Sequence, residues 1–159
     1  MIQTILMHIF GSFVGTVAFA VLFNVPKRFY LCCGLTGTAG WMIYLTLTAG
    51  YDLSPALASF FGTLAVVLIS RILTVRMKCP ITIFLISGII PLVPGAGVYF
   101  TAYYLVTNQM ALASQRGMEA LKIAFAIVLG IVLIVSIPRE FFQARYWRQR
   151  KALKRRGKA

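Results

Sequence analysis

Acidic residues are nearly absent from this sequence. Asp52, Glu119 and Glu140 are the only three among 159 residues, against sixteen Lys and Arg. All three stand at the ends of apolar runs, so the pair of carboxylates that intramembrane aspartyl chemistry needs within a bundle is missing. Histidine is rarer still. His8 stands alone, far along the chain from Cys32, Cys33 and Cys79, and no spacing among them matches a set of metal ligands. Neither a Gly-x-Ser-Gly arrangement nor a His-Glu-x-x-His pair occurs. The chain is therefore not read as an enzyme, and no metal or cofactor is expected.

Long polar stretches are lacking before residue 139 too. Hydrophobic residues make up 60% of the chain, whereas globular domains are roughly 45–50% apolar, which makes lipid the expected solvent. A net charge of +13 can signal nucleic-acid binding, but the residues of a folded reader module are missing, so nucleic acid is not an expected partner. The first apolar run has no positively charged leader and no small-residue cleavage pattern. It is read as a retained span rather than a secretory signal.

A bilayer-crossing helix needs about 20 mostly apolar residues, and five windows qualify: about 2–23, 29–49, 55–75, 81–107 and 119–137. The expected fold is an all-α integral membrane protein, a compact five-helix bundle over residues 1–138 with a basic tail at 139–159. Basic residues are retained on the cytoplasmic side. Lys27 and Arg28 follow the first span, Arg71, Arg76 and Lys78 close the third, and nine more lie in the tail; only Arg116 and Lys122 lie on the other side. Fourteen against two predicts an outside N-terminus and a cytoplasmic C-terminus.

The fourth span is interrupted by Pro91-Leu92-Val93-Pro94-Gly95-Ala96-Gly97. Residues 81–90 rise about 15 Å as a helix, roughly half the hydrocarbon thickness, which puts the break near the midplane. Irregular backbone at that depth is tolerated only when buried in protein or facing a water-filled cavity, and transporters use such broken helices to hold a solute. A second half-helix from about Gly95 would aim its free amides at the membrane centre. Gly95 and Gly97 leave room for a solute; Gly97, Thr101, Tyr104 and Asn108 share one face, with Tyr99 and Tyr103 beside it. The expected solute path is Pro91, Pro94, Gly95, Gly97, Tyr99, Thr101, Tyr104 and Asn108. The simpler alternative is a proline kink with tyrosines at the interface, which accounts poorly for Pro94-Gly95-Ala96-Gly97.

Small residues recur at four-residue spacing in the other spans: Gly11 and Gly15, Gly34 and Thr38, Thr36 and Gly40, Ala58 and Gly62, Ala126 and Gly130. Such pairs let helix backbones approach closely. Packing within the chain is the favoured reading, and a homo-oligomer face stays open. Thr4, His8, Gly11, Ser12 and Gly15 share a face of the first span, where His8 is read as a packing residue with a proton-linked role left open. Trp41, mid-span, needs a partner for its indole N–H. After Asn24, Pro26 cannot continue the first helix, and Asn24 can satisfy freed carbonyls. Gln109 to Gly117 is expected as an outer connector, with a short interfacial helix as the alternative. In the tail, Phe142, Tyr146 and Leu153 can share one side of a helix, with basic groups elsewhere to hold anionic lipids, each contributing up to ~1 kcal/mol.

Phe23-Asn24-Val25-Pro26, Gly37-Thr38-Ala39-Gly40 before Trp41, Ser70-Arg71, and Ile90-Pro91-Leu92-Val93-Pro94-Gly95 with Tyr99 together resemble the threonine/serine exporter family. The likeness is to its short second domain, which often occurs as a separate small subunit, and it covers nearly the whole chain except the basic tail. The resemblance implies about five helices that pair with a larger membrane subunit, and export of small hydroxy amino acids or, in some two-subunit members, dicarboxylates. It carries over to Asn24, Pro26, Gly37 and Gly40 as structural motif residues, and to Pro91, Pro94, Gly95 and Tyr99 at the break. The larger subunit would supply the ionisable coupling site that this chain lacks. The rival reading is a non-transporting scaffold or assembly protein whose tail binds lipid or a partner; a channel, without rings of charge, ranks below both.

Overall fold

The structure, a computed structural model, describes residues 2–137 as six α-helices: α1 (Ile2–Leu22), α2 (Tyr30–Tyr51), α3 (Pro55–Met77), α4 (Thr82–Ile89), α5 (Gly95–Val106) and α6 (Met110–Val135). Two 3-10 turns, Lys27–Phe29 and Ile90–Leu92, precede α2 and follow α4. The basic tail, with Phe142, Tyr146 and Leu153, lies outside the described residues.

Among the described residues, four other than glycine hold a left-handed backbone, and each lies just past a helix: Asn24, Asp52, Lys78 and Asn108. At Asn24 (φ 57°) its N–H donates to the Val21 carbonyl at 3.0 Å, and the next N–H, of Val25, reaches back to Ala20 at 3.0 Å. That is a Schellman motif, sealed by contact between buried Val25 and Ala20, and asparagine tolerates the left-handed position better than most side-chain-bearing residues. The freed carbonyls are thus met by the backbone of Asn24 rather than its side chain. Asn108 ends α5 in the same way, its N–H on Leu105 at 3.2 Å and that of Gln109 on Tyr104 at 2.8 Å. At the start of α3, Ser54 Oγ accepts the Leu57 N–H, and Pro55 takes the first position, where its missing N–H is no loss.

Left-handed turns are made without glycine, and the glycines are spent on packing. Helix α2 lies at the centre, against α1, α3 and α4. A Cβ at Gly34 would strike the Phe13 ring, and one at Gly37 the Thr16 side chain, both on α1. Gly40 turns to α3, where an added Cβ would strike Val66 Cγ2, and a Cβ on Gly62 would come within 3.0 Å of the Gly40 carbonyl. Gly130 of α6 seats on Thr63 of α3. The pairs that contain these glycines therefore pack within the chain; Gly11 and Gly15 differ, since a Cβ at either meets nothing within 4 Å.

Helices α1, α2, α3 and α6 are each long and apolar enough to cross a bilayer, and α4 with its 3-10 turn and α5, joined at a 52° bend, pass the same test together as a broken span, the fourth in chain order. The expected all-α bundle with a broken fourth span is the observed one, and its second half begins at Gly95. The difference lies at α6. Residues 109–117, read as an outer connector or a short interfacial helix, are helical from Met110 but run on without a break into the fifth span. Nothing in Ala-Leu-Ala-Ser-Gln-Arg stops a helix, and Gly117 is held against the Thr101 methyl of α5, 3.3 Å from an added Cβ. Polarity ends the membrane-buried part of this helix without ending the helix.

Candidate functional site

The break is built in three steps. Pro91 opens the 3-10 turn, which closes with the Val93 N–H on the Ile90 carbonyl at 3.1 Å. Val93 is extended, and Pro94 (φ −76°, ψ 55°) forms an inverse γ-turn in which the Gly95 N–H donates to the Val93 carbonyl at 2.7 Å. Helix α5 then starts, its first helical bond running from the Val98 N–H to the Pro94 carbonyl. The amides of Ala96 and Gly97 precede that bond and carry the positive end of the helix dipole.

A cavity of about 390 Å³ opens beside this turn. Pro91, Pro94, Gly95 and Gly97 line it, as do Trp41 and Tyr44 of α2, Ser59 of α3, and Arg116, Glu119 and Ala120 of α6. Its size is at the lower end of small-molecule pockets, which suits a small solute. A Cβ on Gly95 would meet nothing within 4 Å, so this glycine leaves the cavity open. Gly97 serves contact instead, with an added Cβ 3.2 Å from that of Ala120. Thr101 is on the same α6-facing side, its hydroxyl donating to the Gly97 carbonyl at 2.7 Å. Tyr99, Thr101, Tyr104 and Asn108 do not line the cavity; Tyr99 is largely exposed and Asn108 closes α5.

Charge enters from α6. Arg116 and Glu119 pair at 3.3 Å with side chains 53% and 52% exposed. An exposed pair of this kind is worth about 0–1 kcal/mol, so exchanging either partner for a charged solute group costs little. The i,i+3 spacing of the two on a helix was readable in the sequence, but only the extension of α6 through the supposed connector brings them to the break. Ser59, 1% exposed, has no hydrogen-bond partner for its hydroxyl among the described residues, an arrangement that costs roughly 1–3 kcal/mol unless a partner arrives.

Trp41 stacks on Tyr44 with ring centroids 5.1 Å apart and lies 6.2 Å from the His8 ring. Its indole N–H has no protein partner among the described residues. A second cavity of about 290 Å³ runs along α1 past His8, Gly11, Ser12 and Gly15. Trp41 and Pro91 line both cavities and so stand between them. Towards the other end of α1, Asn24 and Pro26 border a third space of about 300 Å³ with Thr82 and Ser87. Gly37 and Gly40 are interhelical contacts. No three His, Cys, Asp or Glu side chains converge as a metal site needs among the described residues.

A family model described as Threonine/Serine exporter, ThrE, matches residues 8–137, a stretch that contains the break, the turn at Asn24 and the Arg116–Glu119 pair of α6. No curated protein and no solved structure matches the chain.

Proposed function

The chain belongs to the threonine/serine exporter family, and from that premise we propose that it is the small subunit of a two-subunit exporter of small hydroxy amino acids or related carboxylates. The family implies membrane transport, and the apolar helices make the chain a multi-pass membrane protein. The observation that carries the finer reading is the cavity at the break, where the first-turn amides of α5 meet the Arg116–Glu119 pair. An amino-acid zwitterion needs a positive and a negative pole close together. The α5 amides and Arg116 receive its carboxylate, while Glu119, released from Arg116, receives its ammonium beside the faces of Trp41 and Tyr44.

The solute enters from the cytoplasmic side and leaves by this outer cavity, passing Trp41 and Pro91. A larger membrane subunit supplies the coupling site. Helix α5 packs on α6 and buries none of its own residues, which supports its having a further neighbour. The N-terminus is outside and the C-terminus in the cytoplasm, with the basic tail on anionic lipid.

The test is Gly95→Leu in the full chain, co-expressed with the larger membrane subunit. The leucine has room and no positive φ to resist it, so the fold should stand while the cavity fills. Export of threonine, serine and succinate falls to background at normal abundance. Export equal to wild type removes the cavity from the path.

A further inference from the structure

We infer that the cavity along α1 is a second carboxylate-binding site, in which the imidazole of His8 and the indole N–H of Trp41 donate to one carboxylate group. Its place on a solute path rests on the transport reading above; its chemistry does not. Gly11 and Gly15 stand apart from the glycines that seat one helix on another, since a Cβ on either meets nothing within 4 Å. The cavity of about 290 Å³ runs past them, so they keep a space open. Most of its wall is apolar, with Met7, Phe19, Ile90 and Pro91 among the lining residues. Ser12 is engaged, its hydroxyl donating to the Ile9 carbonyl at 3.1 Å. His8 and Trp41 are not: neither side chain makes a hydrogen bond among the described residues. Nor are they sealed. The described side-chain atoms that are both closed to solvent and unpaired belong to Ser59, Thr63 and Thr74. The ring nitrogens of His8 and Trp41, both half-buried residues, are not among them and so stay open to a ligand. At membrane depth a free donor needs an acceptor from somewhere.

The two rings lie 6.2 Å apart at 47°, tilted rather than stacked, which leaves their edges free for one two-oxygen acceptor. A carboxylate is that acceptor, taking one N–H on each oxygen at about 2.7–2.9 Å. No acid lines this cavity, so nothing in it calls for an ammonium. It therefore takes carboxylates with or without an amine, whereas the cavity at the break presents both poles at Arg116 and Glu119. Trp41 and Pro91 border both spaces, and a solute crossing the indole exchanges one site for the other. Histidine changes charge between about pH 5 and 8, and an imidazolium bonds a carboxylate roughly twice as strongly as a neutral donor does. No other titratable group lines the cavity among the described residues. Helix α1 packs on α2, α4 and the 3-10 turn at Pro91, of which the last two carry no titratable side chain. On α2, Tyr30, Cys32, Cys33, Tyr44 and Tyr51 do not line it, and Arg116 and Glu119 line the other cavity. Binding here should thus tighten as the pH falls, through His8.

The experiment measures equilibrium binding of radiolabelled lactate, a carboxylate without an amine, to the full chain co-purified with the larger subunit. Gly95→Leu is the background, so that the cavity at the break is filled. Lactate binds about 5–10-fold more tightly at pH 5.5 than at pH 8, the difference between a neutral and a charge-assisted bond, and ethanolamine, which has no carboxylate, does not compete. His8→Gln, which keeps a donor that does not titrate, still binds but loses the pH dependence. Trp41→Phe, which keeps a ring and loses the N–H, binds about 3–10-fold more weakly at both pH values. Absence of lactate binding at both pH values overturns the site, as does a pH dependence that survives in His8→Gln. Should His8→Gln fail to purify, His8→Asn is read by the same criterion. Threonine export by the otherwise wild-type chain is measured alongside: pH-dependent lactate binding without export keeps the site and overturns the exporter reading, and export without lactate binding does the reverse.

Discussion

The guanidinium of Arg71, near the end of α3, donates from Nη2 to the carbonyl of Val135, the last residue of α6, at 2.7 Å, and from Nη1 to the carbonyl of Ile137. Helices α3 and α6 run in the same direction, so the arginine of one closes the exposed carbonyl end of the other. Arg71 is 7% exposed, and in lipid those carbonyls would otherwise lack partners. A planar fork can bridge two carbonyls where an ammonium serves as a single point. Arg71→Ala should lower unfolding stability in detergent by about 2–3 kcal/mol, the scale of bonds to a charged group, with Arg71→Lys intermediate. Denaturant titration of the purified chain checks this; a lysine variant as stable as wild type would show that the fork is not needed.

Two glycines of α2 that look alike in sequence sit in opposite surroundings. Gly40→Ala drives a methyl into Cγ2 of the completely buried Val66, and overpacking of this kind costs about 1–3 kcal/mol. Gly50→Ala meets nothing within 4 Å and gains helix propensity, about 0.5–1 kcal/mol in an exposed position. Melting temperatures of the two variants should therefore move in opposite directions.

The span count and the place of the break were legible because lipid enforces long apolar runs and because Pro91, Pro94 and Gly95 are hard to place in an unbroken helix. The spacing of Gly97 and Thr101 identified a shared face but could not say what that face meets; it meets α6 at Ala120 and Gly117. Trp41 could be seen to need company, yet its neighbours His8 and Tyr44 follow from how α1 crosses α2 and from one turn of helix. Ser59 was invisible, since a missing hydrogen bond leaves no mark in a sequence. Arg116 was assigned to the outer side and Glu119 to the end of an apolar run, but their arrival at the break depends on where α6 begins, and polarity is a poor guide to a helix that emerges from the membrane without stopping.

Asn24 separates a conformational role from a chemical one. Its left-handed backbone supports the Schellman turn, while its side chain borders a cavity and makes no hydrogen bond among the described residues. Asn24→Gly should hold stability within a few tenths of a kcal/mol and retain export, whereas Asn24→Val should cost about 1–2 kcal/mol from the left-handed strain. Loss of export in the glycine variant at normal abundance would instead assign the amide group a part in transport.

Cys79, in the turn between α3 and α4, tests the orientation on which the transport direction depends. Burial pushes its thiol above the ordinary range, and nearby Arg28 pulls more weakly the other way. Less thiolate at neutral pH means slower alkylation than for a free cysteine, and the rate should keep climbing past about pH 8.5, where half of an ordinary thiol is already ionised. The same sign governs stability: it is full below the unfolded thiol's pKa and declines as pH rises through the raised folded value, because the unfolded chain gives up this proton first. A membrane-impermeant maleimide should label Cys79 in inverted vesicles and not in intact cells, using a Cys32→Ser background in which the remaining Cys33 is fully buried. Tyr51→Cys, largely exposed at the far end of α2, should show the reverse pattern. Labelling of Cys79 from outside would invert the chain, place the cavity with Arg116 and Glu119 on the cytoplasmic side, and make it the entrance to the path rather than the exit.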